Sequence, residues 1–98
     1  MKFRILVTYD VSTETREGRR RLRHVAKICL GFGQRVQMSV FECQVTPSQK
    51  EDMVRRLLKV MNEAEDSVRV YRLRPDLEDS VEQYGNKRSL DFDEPLII

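Results

Sequence analysis

The chain has 98 residues and a formal net charge of +2, a size that suits one domain with its own core and leaves no room for a second. No stretch approaches the roughly 20 apolar residues of a membrane span, and the opening MKFRILVTYD lacks the apolar core and cleavage site of a signal peptide. We therefore expect a soluble, cytoplasmic protein with no membrane partner.

The first predicted element is a β-strand over residues 2–10, in which polar and apolar positions alternate. The face expected to point into the core carries Phe3, Ile5, Val7 and Tyr9. The opposite face carries Arg4, Leu6, Thr8 and Asp10. Asp10 is the one acid of this strand and stands at its carboxyl end, just before a loop.

A helix is predicted next, because the polar residues 12–15 offer caps and apolar residues then recur at helical spacing until Gly31 and Gly33. Its apolar positions are Leu22, Val25, Ala26 and Cys29. Gly18 is expected to weaken the first turn. His24 is expected to be an exposed helix residue and not a general base.

Basic residues dominate this helix and the strand that follows. Residues 16–35 contain one acid, Glu17, and seven bases: Arg16, Arg19, Arg20, Arg21, Arg23, Lys27 and Arg35. On a helical wheel Arg16, Arg20, Arg23 and Lys27 share a stripe away from the apolar face. Nothing nearby in the sequence neutralises these charges, so the pattern favours a phosphate-binding surface; an ordinary solvated helix face is the alternative.

Two short strands are predicted within residues 35–45, because the apolar positions change register near Ser39, where a tight turn or bulge is expected. The segment Thr46, Pro47, Ser48, Gln49 is a capping box with proline at the first helical position. The second helix has a predicted buried stripe: Met53, Val54, Leu57, Leu58 and Met61. After an acidic loop at 62–66, a last strand contains Val68, Val70, Tyr71 and Leu73 and stops at Pro75.

This element order predicts an α+β fold, the ferredoxin-like βαββαβ sandwich with two helices on one face of a four-stranded antiparallel sheet. The uncovered face carries Leu6 and Thr8, which favours coverage by another chain. We assign the ferredoxin-like domain to residues 1–78 and a tail to residues 79–98. Residues 76–98 hold seven acids and two bases, and the chain ends in Leu96, Ile97 and Ile98. Docking of the tail as an extra strand on a sheet edge, its own or a partner's, is our hypothesis.

Asp10 is the candidate for chemistry. An aspartate at a strand end ordinarily caps nearby backbone N–H groups. The functional alternative is a Mg²⁺ or Mn²⁺ ligand, since hard cations take oxygen ligands. A twofold axis beside this strand end would pair two copies of Asp10, and a metal so held would polarise a phosphodiester and activate water.

Other chemistries have little support. Cys29 and Cys43 lie within predicted regular elements and are interpreted as small buried hydrophobes, and one histidine is too few for a zinc site. The sequence has no glycine-rich phosphate loop, no HExxH motif and no nucleophilic triad. A binding platform or a minimal metal-dependent nuclease remains.

Five segments, in order, resemble the CRISPR-associated endonuclease family, the small adaptation protein numbered two in those systems: LVTYDVST, RRRLRHVAKI, GFGQRVQMSVFEC, VTPSQ and VRVYRL. The resemblance spans residues 3–74. It implies a ferredoxin-like homodimer whose C-terminal strand crosses to the partner's sheet, clamped by two dimers of the companion integrase during capture of foreign DNA. Tyr9 and Asp10 match the family's strand-end motif, in which the aspartate of each protomer is assigned to a shared divalent metal. Positions associated with the site or with nucleic-acid contact are matched by Arg21, Arg23, Arg35, Ser39 and Phe41.

Three functions follow as hypotheses. The first is metal-dependent phosphodiester hydrolysis of DNA or RNA by paired Asp10 carboxylates, in an adaptation protein that binds nucleic acid. The second is a structural adaptor whose basic helix holds DNA without cutting it. The third is a ribonuclease toxin of the related interferase type, which would arrest growth on expression without any integrase.

Overall fold

Six regular elements follow one another in the order strand, helix, strand, strand, helix, strand. They are β1 (Phe3–Asp10), α1 (Arg16–Leu30), β2 (Gly33–Gln37), β3 (Val40–Val45), α2 (Pro47–Val60) and β4 (Ser67–Arg72). This computed structural model describes residues 1–74 and 81–85. The predicted element order and α+β class are confirmed.

The sheet has four strands in the order β2-β3-β1-β4, and every neighbouring pair is antiparallel. β1 is central: Val7 lies opposite Phe41 of β3 and Val70 of β4, and Asp10 lies opposite Ser67 of β4. This strand order and the two helices match the predicted ferredoxin-like sandwich. Among the described strands, β2 and β4 form the sheet edges.

The core lies between the helices and one face of the sheet. On β1, Ile5, Val7 and Tyr9 are buried and Asp10 is exposed, as the alternating pattern predicts. The rest of the buried apolar core is Val11, Leu22, Val25, Cys29, Phe41, Cys43, Val45, Met53 and Leu57. Both cysteines are free and buried, and burial raises the pKa of Cys29 to about 12.

β2 and β3 are separated where the apolar pattern changes register. A turn occupies residues 38–39, and the pairing shifts between Arg35 and Gln37. The Tyr9 amide donates a hydrogen bond to the Ser39 carbonyl at 3.1 Å, which ties the turn to β1. The predicted break near Ser39 is confirmed.

Both helices begin at side-chain caps. The Thr46 hydroxyl accepts from the Gln49 amide at 3.1 Å, and the Gln49 side chain accepts from the Thr46 amide at 2.9 Å, so the predicted capping box is present. In α1 the Thr15 hydroxyl accepts from the Gly18 amide at 3.0 Å. The predicted buried stripe of α2 is wrong at Leu58, which is 52% exposed because it lines an open groove beside Phe3 and Arg72 and does not pack in the core.

Gly18 does more than weaken the first turn of α1. It is buried, and a Cβ placed on it would lie 1.9 Å from the carbonyl oxygen of Ser12. The loop after β1 therefore passes over α1 at a distance that only glycine permits. The sequence prediction missed this contact because it considered helix propensity alone.

The C-terminal predictions fall largely outside the described residues. These include the stop at Pro75, the domain boundary at 78 and the docking of tail residues 79–98, of which only 81–85 are described. Residues 81–85 belong to no strand and expose Val81 and Tyr84. Among the helices of the described ranges, none combines the length and apolarity needed to cross a membrane.

Candidate nucleic-acid and metal site

Asp10 ends β1 at the centre of the sheet. Asp10 is exposed, and the alternation along β1 places its side chain on the face of the sheet opposite the helices. Within residues 1–74 and 81–85 its carboxylate forms no ion pair. An exposed carboxylate with no ion-pair partner in the described ranges is available to an external cation or to a second protein chain.

The described residues of one protomer do not form a complete metal site. The described residues contain no group of three or more His, Cys, Asp or Glu side chains that could hold a metal ion. Mg²⁺ is often held by one or two carboxylates, with water and substrate phosphate completing its six oxygen ligands. The donor at Asp10 therefore fits Mg²⁺ or Mn²⁺ when a second copy adds its own aspartate, and it does not fit a structural zinc site.

Directly behind Asp10, on the helix side of the sheet, the chain places a polar cluster in the core. The Tyr9 hydroxyl donates to the Met38 carbonyl at 3.3 Å and accepts from Arg35 Nη2 at 3.4 Å. The Arg35 guanidinium lies 5.0 Å from the centre of the Phe41 ring, which also stacks on Tyr9 at 6.1 Å between centroids. Ser39 joins the cluster through its carbonyl. The structure thus brings together four residues that the resemblance associated with the site: Tyr9, Arg35, Ser39 and Phe41.

Arg35 and Tyr9 act from inside the protomer. Arg35 is 6% exposed, and its Nε is buried without a hydrogen-bond partner in the described part of the chain. The prediction that Arg35 belongs to an exposed phosphate-binding surface is therefore wrong. Its guanidinium is buried and packs on the Phe41 ring. Burial raises the pKa of Tyr9, and the hydrogen bond from Arg35 only partly opposes this. The phenol is neutral at pH 7, and its hydrogen bonds connect the end of β1 to Met38 and Arg35.

The basic stripe consists of Arg16, Arg20, Arg23 and Lys27, all exposed along α1. Among the described residues, none of the four forms an ion pair. The stripe begins one loop after Asp10, so it starts at the same end of the molecule, although α1 lies across the sheet from the Asp10 side chain. Four cations without described counter-charges on one helix attract a polyanion.

Arg21 does not belong to this stripe. Its Nε donates to Asp66 at 2.8 Å and its Nη2 donates to Glu65 at 3.0 Å. Arg21 is therefore neutralised, contrary to the expectation for the seven bases as a group. Its acids belong to the loop before β4, 44 and 45 residues away in the chain, so a search of the neighbouring sequence does not find them. Sequence reasoning treated residues 62–66 only as an acidic loop and missed Asp66.

Asp66 is a buried anion held by several donors. Burial alone would raise the pKa of Asp66, but hydrogen bonds from Arg21 and from the amides of Asn62 and Ser12 outweigh it, so the pKa lies below its ordinary value. The only signal in the sequence was the concentration of acids in a short loop opposite an arginine-rich helix. That signal does not say which acid would be buried.

The fold and site define a small ferredoxin-like protein whose exposed strand-end acid and basic helix suit a nucleic-acid ligand. A family model described as CRISPR associated protein Cas2 matches residues 1–81. The chain belongs to this family, as the sequence motifs indicated.

Named relatives resemble the chain over nearly its whole length. The CRISPR-associated endoribonuclease Cas2 1 of Moorella thermoacetica is 52% identical over 94 residues, covering 96% of this chain and 98% of the relative. The CRISPR-associated endonuclease Cas2 of Halalkalibacterium halodurans is 46% identical over 94 residues, with coverage of 96% and 98%. Both names specify a nuclease, although only the first specifies RNA.

Solved structures agree with the fold. Cas2 of Streptococcus pyogenes at pH 6.5 superposes with a TM-score of 0.78 and is 54% identical, covering 84% of this chain and 99% of that protein. A hypothetical protein, TT1823 from Thermus thermophilus, has a TM-score of 0.68 and 30% identity, covering 76% and 84%. The ferredoxin-like assignment therefore has independent structural support.

Proposed function

We propose that this protein is a CRISPR adaptation protein that binds nucleic acid as a homodimer and acts with the companion integrase in spacer acquisition. Its family membership and the names of its relatives support a role in CRISPR systems. The observation that carries the proposal is the basic stripe on α1, which no acid among the described residues neutralises and which begins one loop after the exposed Asp10.

The uncovered face of the sheet supports the homodimer. Leu6, Thr8 and Val40 lie on this face and are only half-buried, and Tyr71 beside them is 40% exposed. Apolar surface of this kind is stabilised when a second chain covers it. Because Asp10 lies at one end of the same face, two copies packed face to face about a twofold axis beside this strand end bring two carboxylates to one site.

Phosphodiester hydrolysis is the activity we propose for that site. The two Asp10 carboxylates hold the cation, the basic stripes hold the phosphate backbone, and the cluster of Tyr9, Arg35 and Phe41 keeps the end of β1 rigid. Bound Mg²⁺ or Mn²⁺ supplies Lewis-acid polarisation of the phosphodiester and a more acidic water. Since the relatives' names include both endoribonuclease and endonuclease, DNA and RNA are both substrates to assay.

A purely structural adaptor is the second candidate. One observation favours it: within the described ranges a protomer offers a single isolated carboxylate and no cluster of metal-ligating side chains. In that case the dimer holds DNA for the integrase and Asp10 is dispensable for acquisition.

Removal of two stripe cations tests nucleic-acid binding. We expect Arg20→Ala with Arg23→Ala to weaken binding and to lower the slope of log K against log salt by roughly one unit for each lost phosphate contact. The matched control is Arg56→Ala with Arg74→Ala, which removes the same charge from two exposed positions outside the stripe, one of them already paired with Asp52. Equal slopes for the wild type and the stripe variant would show that the stripe is an ordinary solvated helix face.

The tail is the remaining part of the proposed assembly. We propose that residues 79–98 dock along the edge strand β4 of the partner protomer; docking on the same protomer is the alternative. A groove of about 710 Å³ lies between α2 and the end of β4, with Phe3, Val54 and Leu58 on its apolar surface. One acid, Glu51, and four basic residues also line it: Lys50, Arg55, Lys59 and Arg72. Residues 90–98 combine three acids with apolar side chains, and so complement this groove in both charge and polarity.

Truncation tests this docking. A chain ending at residue 89 is expected to elute from gel filtration as a monomer at concentrations where the full chain elutes as a dimer, because the tail's contacts are lost. The full-length control Asp91→Asn, Asp93→Asn, Glu94→Gln keeps the apolar groups, removes the charges and should weaken the dimer less. A truncated chain that remains as dimeric as the full chain would contradict a partner-docked tail.

A further inference from the structure

The Asp66 carboxylate has its hydrogen-bonding capacity filled by the protein itself. Its side chain is 0% exposed. Oδ2 accepts from Arg21 Nε at 2.8 Å and from the Asn62 amide at 2.8 Å, whereas Oδ1 accepts from the Ser12 amide at 3.1 Å and from Arg21 Nη2 at 3.4 Å. A carboxylate has about four acceptor positions, so this one has none left for a cation or a substrate.

These four hydrogen bonds converge on the end of β1 that carries Asp10. Ser12 follows Asp10 by two residues, and Asp66 immediately precedes Ser67, the residue paired with Asp10 across β1 and β4. Asp66 therefore connects two segments next to Asp10. One is the loop that follows β1, and the other is the start of β4, the neighbouring strand.

The loop is also confined from the other side. The Ser12 carbonyl lies so close to Gly18 that a Cβ there would be at 1.9 Å, while the Ser12 amide donates to Asp66. Ser12 is thus held between α1 and the loop before β4. Its backbone has little freedom to move, and the direction in which the chain leaves Asp10 is set by these contacts.

Arg21 differs from Arg20 and Arg23 in its exposure and in its ion pairs. Its side chain is 15% exposed and engages two acids, whereas Arg20 and Arg23 are exposed and engage none among the described residues. A phosphate would have to compete with a buried carboxylate for the Arg21 guanidinium, and breaking that pair would leave Asp66 as an unpaired buried charge.

We propose that Arg21 and Asp66 form a positioning pair that orients the end of β1 for the metal and the phosphodiester, and that Arg21 makes no phosphate contact of its own. The catalytic part of this inference rests on the proposed hydrolysis. The assignment of Arg21 away from the nucleic-acid surface does not.

The salt dependence of nucleic-acid binding tests Arg21. Arg20→Ala is expected to lower the slope of log K against log salt by roughly one unit, and Arg21→Ala is expected to leave the slope unchanged, although both remove one positive charge from adjacent positions of α1. Arg21→Lys keeps the charge but loses the two-pronged donor geometry, and it should also leave the slope unchanged. An Arg21→Ala slope lowered as much as that of Arg20→Ala overturns the inference.

Amide hydrogen exchange and metal dependence test the positioning. In Arg21→Ala and in Asp66→Asn, the Ser12 amide is expected to exchange at least about tenfold faster, because its acceptor is lost or displaced. The Mg²⁺ concentration for half-maximal cleavage should rise by about tenfold or more, as is common when a group that orients a metal ligand is removed. Arg21→Ala retains the Asp66 carboxylate, so it still provides the test if Asp66→Asn fails to fold.

Val45→Ala is the control for general destabilisation. Val45 is a buried residue at the end of β3 and pairs with Phe3, at the end of β1 away from Asp10. It should lower the melting temperature without changing the Mg²⁺ requirement of the folded protein. The inference is contradicted if the Ser12 amide exchanges no faster in Arg21→Ala than it does in Val45→Ala. If the wild type cleaves neither DNA nor RNA, the proposed hydrolysis fails, and the salt slope and Ser12 exchange still decide the role of Arg21.

Discussion

Asp10→Asn is expected to reduce Mg²⁺-dependent cleavage by a factor on the order of 10² to 10³, the range seen when one charge-stabilising group of an active site is removed. The amide keeps the size of the side chain but loses the negative charge, and in the proposed dimer both copies of the ligand are lost at once. Because Asp10 is exposed at a strand end, the fold and the basic stripe should persist. Cleavage of DNA and RNA across a Mg²⁺ titration measures the effect.

The same variant separates the two candidate functions. Spacer acquisition in cells that carry the integrase should be assayed beside cleavage, with Asp52→Asn on α2 as a matched change of acid to amide. Loss of cleavage with normal acquisition would favour the structural adaptor. Cleavage that persists in Asp10→Asn at the wild-type rate would remove Asp10 from the mechanism altogether.

Gly18→Ala is expected to destabilise the protein by about 1–3 kcal/mol, the usual cost of forcing an extra group into a packed site. In an ordinary helix position the same change is stabilising by up to about 1 kcal/mol, so the structure predicts a reversal of sign. The cause is the Ser12 carbonyl, which lies 1.9 Å from the position of the new Cβ. Urea denaturation of both proteins measures the difference in the free energy of unfolding.

Gly31→Ala is the matched control at the other end of α1. Gly31 has φ −70° and ψ −15°, a conformation that alanine adopts without strain, and its new Cβ would approach only the Ile28 carbonyl, at 3.3 Å. Gly31 is exposed, so we expect the free energy of unfolding to change by no more than about 0.5 kcal/mol. A Gly18→Ala protein as stable as Gly31→Ala would mean that the loop at Ser12 moves aside without cost.

Local patterns in the sequence were sufficient for the elements and their order. The period-two alternation of residues 3–10 identified which face of β1 is buried, and the capping box at Thr46 located the start of α2. These signals involve residues at most a few positions apart, so they are readable without any knowledge of the fold. Leu58 shows the limit of this reasoning, because an apolar residue at helical spacing is buried only if another element covers it.

The candidate site was predicted in part. Asp10 and the basic stripe followed from position and charge, and both are exposed in the structure. Arg35 was assigned to the surface from its type, yet it lies in the core because the register of β2 and β3 places it beside Phe41. A charged side chain is rarely buried, and nothing in the local sequence predicted the aromatic partner that makes its burial tolerable.

What the sequence determined by itself is therefore the fold class, the family, the strand-end acid and the cationic helix, since each depends on short-range periodicity, composition or motif. Only the tertiary structure decided which arginines are free to meet a polyanion. Arg21 and Asp66 are 45 residues apart in the chain, and their pairing exists because the sheet places β4 beside β1. Contacts between distant segments depend on the three-dimensional path of the chain, which no local pattern encodes.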